Sequence, residues 1–186
     1  MKKLFLSALF VMAGSFVFSS AGFAASGETY YTRFNMWYEN PSKILSTNYH
    51  KGAVLPVGTE VEIVKRSDKK ITFREKTKGQ QFKVVLVRKY TNLTSTEFFD
   101  RYFSKGNVLQ SAEYAAFSDK EKENIKDGTI EAGMSKAAVL MAFGYPPTHR
   151  TPATTDNLWT YWTSRLVTRE VYFKDDKISA FSRFKS

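Results

Sequence analysis

Two histidines, eighteen carboxylates and no cysteine are what the chain offers for acid–base, metal or thiol chemistry. A metal site needs nitrogen, sulfur or carboxylate ligands at short repeated spacings. Neither histidine has such a neighbour: His50 stands between Tyr49 and Lys51, and His149 between Thr148 and Arg150. Without cysteine there is no thiol nucleophile, no thiolate metal site, no disulfide and no lipid anchor on a cysteine. The adjacent acids Asp175 and Asp176 suit a hairpin tip, where Asp tolerates turn geometry. A two-carboxylate hydrolase would instead hold its acids roughly 5–9 Å apart in a cleft. No G-x-S-x-G elbow or phosphate-binding P-loop occurs. The expectation is a protein without catalytic, cofactor-binding or metal-binding residues, and not an enzyme.

Residues suited to binding are more numerous. Trp159, Tyr161 and Trp162 put aromatic rings on both faces of one strand, because alternate residues point opposite ways. One face, carrying Trp159 and Tyr161, is expected in the core; the other is either covered or a contact surface. Tyr145, Pro146, Pro147, His149 and Arg150 form a semi-rigid loop of the kind that presents contact residues or simply turns the chain. Tyr145, His149, Arg150, Trp159, Tyr161 and Trp162 are therefore the candidate partner-binding residues.

Charge supplies a second candidate surface. The net charge is +10, and residues 25–92 hold 13 basic against 6 acidic side chains, whereas residues 93–186 hold 13 against 12. Lys65, Arg66, Lys69, Lys70, Lys76 and Lys78 lie in the densest part and are the candidate contacts for an anionic surface. The chain starts with Met1, Lys2 and Lys3, an apolar run over residues 4–18, and Gly22-Phe23-Ala24. This is the pattern of a secretory signal peptide, with cleavage expected after Ala24. An exported basic protein meets lipopolysaccharide, anionic lipid and cell-wall polymer rather than nucleic acid. The other reading of the same lysines is a solvated sheet edge on which charge blocks aggregation.

The elements that would carry these residues change character along the chain. Residues 29–38 read as a strand broken by Asn40-Pro41-Ser42. Val61 and Ile63, Ile71 and Phe73, and the run 82–87 read as three strands joined by hairpins, making residues 25–92 an all-β domain. The opening "LPVGTEVEIV" resembles a strand start in SH3-like barrels. At Thr94-Ser95-Thr96-Glu97 a capping box opens a helix with an aromatic stripe, ended by Gly106, so the internal boundary is placed at residues 92–94. A second capping box, Ser118-Asp119-Lys120-Glu121, opens a polar surface helix ended by Asp127-Gly128. In "GMSKAAVLMAFGYPP", Ser135 caps a two-turn helix that Gly144 and Pro146-Pro147 stop, and Met134, Val139, Leu140 and Phe143 must pack for it to persist. Three further strands, near residues 158–162, 170–173 and 177–181, complete a meander with helices on one face, an α+β layer.

The order Gly133-Met134-Ser135, Phe143-Gly144-x-Pro146, Trp159-x-Tyr161 and Val171-x-Phe173-x-Asp175-Asp176-x-Ile178 resembles the BamE (SmpA/OmlA) family over roughly residues 125–186. The resemblance implies helices packed on a three-stranded antiparallel sheet and a periplasmic binding role beside the machine that inserts outer-membrane barrels. The chain lacks the lipidated cysteine of that family and adds the basic β-rich half. The expected function is non-catalytic binding or assembly in the Gram-negative cell envelope. It would act in the periplasm, in association with the outer membrane or secreted, with a periplasmic or outer-membrane protein as partner. Two alternatives stay open: a periplasmic enzyme or small-ligand receptor with a pocket between the halves around His50, His149 and residues 159–162, and a secreted inhibitor.

Overall fold

The structure is a computed structural model that describes residues 28–182; the expected signal peptide and its cleavage site lie outside these residues. The aromatic run at 29–38 forms two strands rather than one, β1 (Thr29–Thr32) and β2 (Met36–Tyr38). Asn35 explains the break. Its backbone N–H leaves the sheet to donate to the Met141 carbonyl at 3.0 Å. Two short strands follow, β3 (Ile44–Leu45) and β4 (Ala53–Leu55), and β4 pairs with β2.

The three alternating segments form β5 (Glu60–Ser67), β6 (Lys70–Glu75) and β7 (Gln81–Val85), antiparallel neighbours as the hairpin pattern predicts. Their inward residues Val61, Ile63, Ile71, Phe73, Phe82 and Val84 are all buried. The capping box at Thr94 opens α1 (Ser95–Tyr102), with Thr94 Oγ1 accepting from the Glu97 N–H and Glu97 accepting from the Thr94 N–H. The helix ends earlier than Gly106, because Phe103 turns extended and starts β8 (Phe103–Ser104). β8 pairs with β1, giving a six-stranded sheet in the order β3-β7-β6-β5-β1-β8. Phe98, Phe99, Tyr102 and Phe103 belong to the core of this sheet, so α1 packs with the β-rich half although it lies beyond residues 92–94.

A 3-10 turn (Val108–Gln110), a short helix α2 (Ala112–Ala115) and two longer helices, α3 (Asp119–Asp127) and α4 (Lys136–Phe143), lead to the second core. Helix α3 has its capping box at Ser118 and its left-handed stop at Gly128, and it buries Asn124 and Ile125. Helix α4 is apolar on all sides because both halves cover it: Ala138, Val139, Met141, Ala142 and Phe143 are buried and Leu140 is half-buried. The final strands β9 (Leu158–Trp162), β10 (Thr168–Lys174) and β11 (Lys177–Phe181) form an antiparallel sheet in the order β11-β10-β9. Asp175 and Asp176 make the β10–β11 turn with φ of 51° and 56°. The fold is mixed α+β, with a six-stranded and a three-stranded sheet and helices between them.

Polar side chains bond the two cores together. Asn35 is fully buried; its Nδ2 donates to the carbonyls of Ile125 at 2.6 Å and Ala142 at 3.2 Å, and its Oδ1 accepts from the Val57 N–H at 2.8 Å. Asn48 donates to the Phe143 carbonyl at 2.5 Å, and Tyr161 donates its hydroxyl proton to the Gly144 carbonyl at 2.9 Å.

Candidate functional site

The aromatic strand takes its place in the core. Trp159 and Tyr161 are 0% exposed and point at α4 and β10, where Trp159 meets Phe173 and Tyr161 meets Phe143. They are therefore packing residues and not contacts for a partner. Trp162, on the opposite face, is 8% exposed. It is covered from within the chain: Tyr49 stacks on it at 6.1 Å, His149 meets it edge-on at 5.0 Å and Tyr90 lies 5.8 Å away. The bridge between Tyr49 and Trp162 extends the three-stranded sheet with a segment of the first half.

Of the loop candidates, Tyr145 is half-buried between the Phe34 ring at 5.8 Å and the Arg101 guanidinium at 4.7 Å. His149 and Arg150 are exposed. The His149 backbone N–H and Nδ1 both lie 3.2 Å from the Tyr90 carbonyl, which ties the loop after α4 to the turn after β7. His50 is elsewhere, buried under Trp37, Phe143 and Tyr161, with Nε2 2.9 Å from the Phe143 carbonyl. Burial drives its pKa down to about 3, so it is a neutral, structural imidazole. Among the described residues no three His, Asp or Glu side chains group closely enough to hold a metal ion.

The basic candidates divide by strand register. Directly paired residues share a face, so Lys65, Thr72 and Lys83 form one outward row across β5, β6 and β7. Ser67, Lys70 and Val85 form the next row and Glu62, Arg74 and Gln81 the one before. The outer face thus presents Lys65, Lys70, Arg74 and Lys83 with two acids of β5: Glu62, which lies 3.7 Å from Arg74, and Glu60 two positions before it, which pairs with Lys76. Lys69 is exposed at the hairpin tip beside it.

Three of the six candidates add no free charge to this group: two stand apart from the face, and the third, Lys76, is neutralised on it. A bulge at Val64 shifts the register of β5, and the shift turns Arg66 to the inner side opposite Ile71. There its guanidinium covers the Phe99 ring at 4.2 Å and donates to the Ser95 carbonyl at 3.2 Å. Lys76 is paired with Glu60 at 2.6 Å. Lys78 sits in the β6–β7 turn, where its N–H caps the Glu75 carboxylate at 2.9 Å, at the opposite end of the sheet from Lys69. Arg74 and Lys83 were legible as surface cations from their alternation with Phe73, Phe82 and Val84, a signal stronger than sequence density.

Apart from Arg66 and the capping carboxylate of Glu75, the inner rows are apolar and buried, so the sheet is held from one side and its other side can carry lysine. No helix among the described residues is long and apolar enough to cross a membrane. The chain matches no protein-family model, no curated protein and no solved structure.

Proposed function

We propose that the chain is an exported, non-catalytic binding or assembly protein of the Gram-negative cell envelope, which uses the outer face of β5, β6 and β7 against an anionic partner. The observation that carries this reading is the clustering of Lys65, Lys70, Arg74 and Lys83 on one sheet face, where the acids Glu60 and Glu62 lie against Lys76 and Arg74. Surplus charge of one sign on a rigid face attracts polyanions and accelerates their encounter. The partner is a periplasmic or outer-membrane protein, with lipopolysaccharide, anionic lipid or cell-wall polymer as the charged contact. The finer architecture belongs to the same proposal. The β-rich half is read as SH3-like, and the capped α4, the Trp159-x-Tyr161 strand and the β10–β11 hairpin support a BamE-like arrangement in the second half.

Co-sedimentation of residues 25–186 with lipopolysaccharide and with anionic vesicles tests this reading. Binding should fall steeply between low and physiological salt, because the Debye length shrinks to about 8 Å. Lys65→Gln, Lys70→Gln and Lys83→Gln together should remove most of it. Binding that ignores salt and survives the triple substitution would overturn the reading.

A further inference from the structure

A cleft of about 390 Å³ opens where the turn after β7 meets α1 and the loop after α4, lined by Arg88, Lys89, Tyr90, Glu97, Arg101 and His149 among others. None of its lining residues belongs to the basic sheet face. Arg88 and Lys89 are exposed, and Arg101 is half-buried on α1. None of these three cations forms an ion pair among the described residues. Arg101 rests on the Tyr145 ring at 4.7 Å instead; burial pulls its pKa down, and the charge of Glu97 only partly offsets that.

The one acid of the cleft is already engaged. Glu97 Oε2 accepts from the Thr94 N–H and hydroxyl, both at 2.8 Å, to complete the cap of α1. Tyr90 reports the local field: hydrogen bonds from Lys89 and Arg165 and their charges lower its phenol pKa. The position of the cleft is fixed by the two 3.2 Å contacts of His149 to the Tyr90 carbonyl, so its walls come from both halves of the chain.

We propose that this cleft binds the dianionic phosphate group of inorganic phosphate or of a small phosphate monoester. Three cations against one committed carboxylate leave two positive charges to be neutralised. A phosphate monoester carries close to two negative charges at neutral pH and three acceptor oxygens. Arg88 and Arg101 offer planar donor forks that fit a phosphate face, and Lys89 adds a mobile ammonium. A carboxylate or a phosphate diester would leave one charge unmatched.

Isothermal titration of residues 25–186 at physiological ionic strength, with inorganic phosphate, glycerol 3-phosphate and dimethyl phosphate as probes, decides the matter. Saturable one-to-one binding of either dianion is expected, with dimethyl phosphate about tenfold weaker or worse. Preference between phosphate and glycerol 3-phosphate identifies the source, free ion or organic ester. Arg88→Gln with Lys89→Gln, both on an exposed turn, should weaken binding about tenfold or more, whereas Lys126→Gln with Lys174→Gln, exposed on α3 and β10, should leave it unchanged. Arg101→Gln should act as the first pair does; should that variant fail to fold, the Arg88/Lys89 pair still decides. The proposal is overturned by absence of saturable binding, by dimethyl phosphate binding as tightly as the dianions, or by equal losses in both double variants.

Discussion

The Nε2 of His50 lies 2.9 Å from the carbonyl oxygen of Phe143, a bond from the β-rich half to the last turn of α4. Since the carbonyl accepts, Nε2 carries the proton. Nδ1 is then bare, and it is buried without a partner among the described residues. The rings of Trp37, Phe143 and Tyr161 enclose the imidazole, and the Arg169 charge adds to the penalty on protonation. With a folded pKa of about 3 against an ordinary 6.5, the unfolded chain takes up a proton between these values that the folded chain does not. His50 therefore makes no difference above about pH 6.5, and stability falls as pH drops from there toward about 3, by up to about 1.4 kcal/mol per pH unit. Urea unfolding at about pH 7 and about pH 4 should show a smaller decline for His50→Gln than for the native chain. An identical decline in both would show that His50 titrates normally.

Asn35 should be among the costliest polar residues to remove. Asn35→Ala leaves the Val57 N–H without its acceptor and takes a donor from the Ile125 and Ala142 carbonyls, all in buried surroundings. A loss of about 3 kcal/mol is expected in denaturant unfolding, since a buried group left unsatisfied costs about 1–3 kcal/mol. A loss below about 0.5 kcal/mol would mean that the two cores do not depend on this bridge.

Gly144 holds α4 against the first half. Its φ of 72° with ψ of −171° is a conformation that side chains avoid, and a Cβ there would lie 2.6 Å from Phe34 Cε2. Gly144→Ala should destabilise by about 2 kcal/mol or more, measured by thermal or urea unfolding. Relief by a second change, Phe34→Leu, would identify the overlap as the cause.

Much of this was readable in advance, and the misses share one physical origin. Capping boxes at Thr94 and Ser118, the alternation of β5 to β7 and the β10–β11 hairpin depend on neighbours a few residues away, and each formed as its local chemistry requires. The break at Asn35 depends on Met141, over a hundred positions downstream, and no local pattern announces it. Likewise α1 joins the first core because β8 pairs with β1, a long-range choice that a composition boundary cannot reveal. Among the site residues, the lysine density was visible but its sorting was not. One extra residue at Val64 flips the alternation, so that Lys65 faces outward and Arg66 covers Phe99.

That separation predicts opposite behaviour in adjacent residues. Arg66→Ala should cost about 1 kcal/mol of stability through the lost ring contact and leave binding to anionic vesicles nearly intact. Lys65→Ala should leave stability within about 0.5 kcal/mol and weaken vesicle binding. Unfolding curves and co-sedimentation on the same two variants check both halves of the statement.

The most direct test of the binding account is site-specific photo-crosslinking in intact envelopes, with the probe at Lys70 on the basic face or at Glu123 on exposed α3. The account predicts adducts with envelope components from position 70 that disappear as salt is raised, and few from position 123. Equal adducts from both positions, or none from position 70, would contradict it.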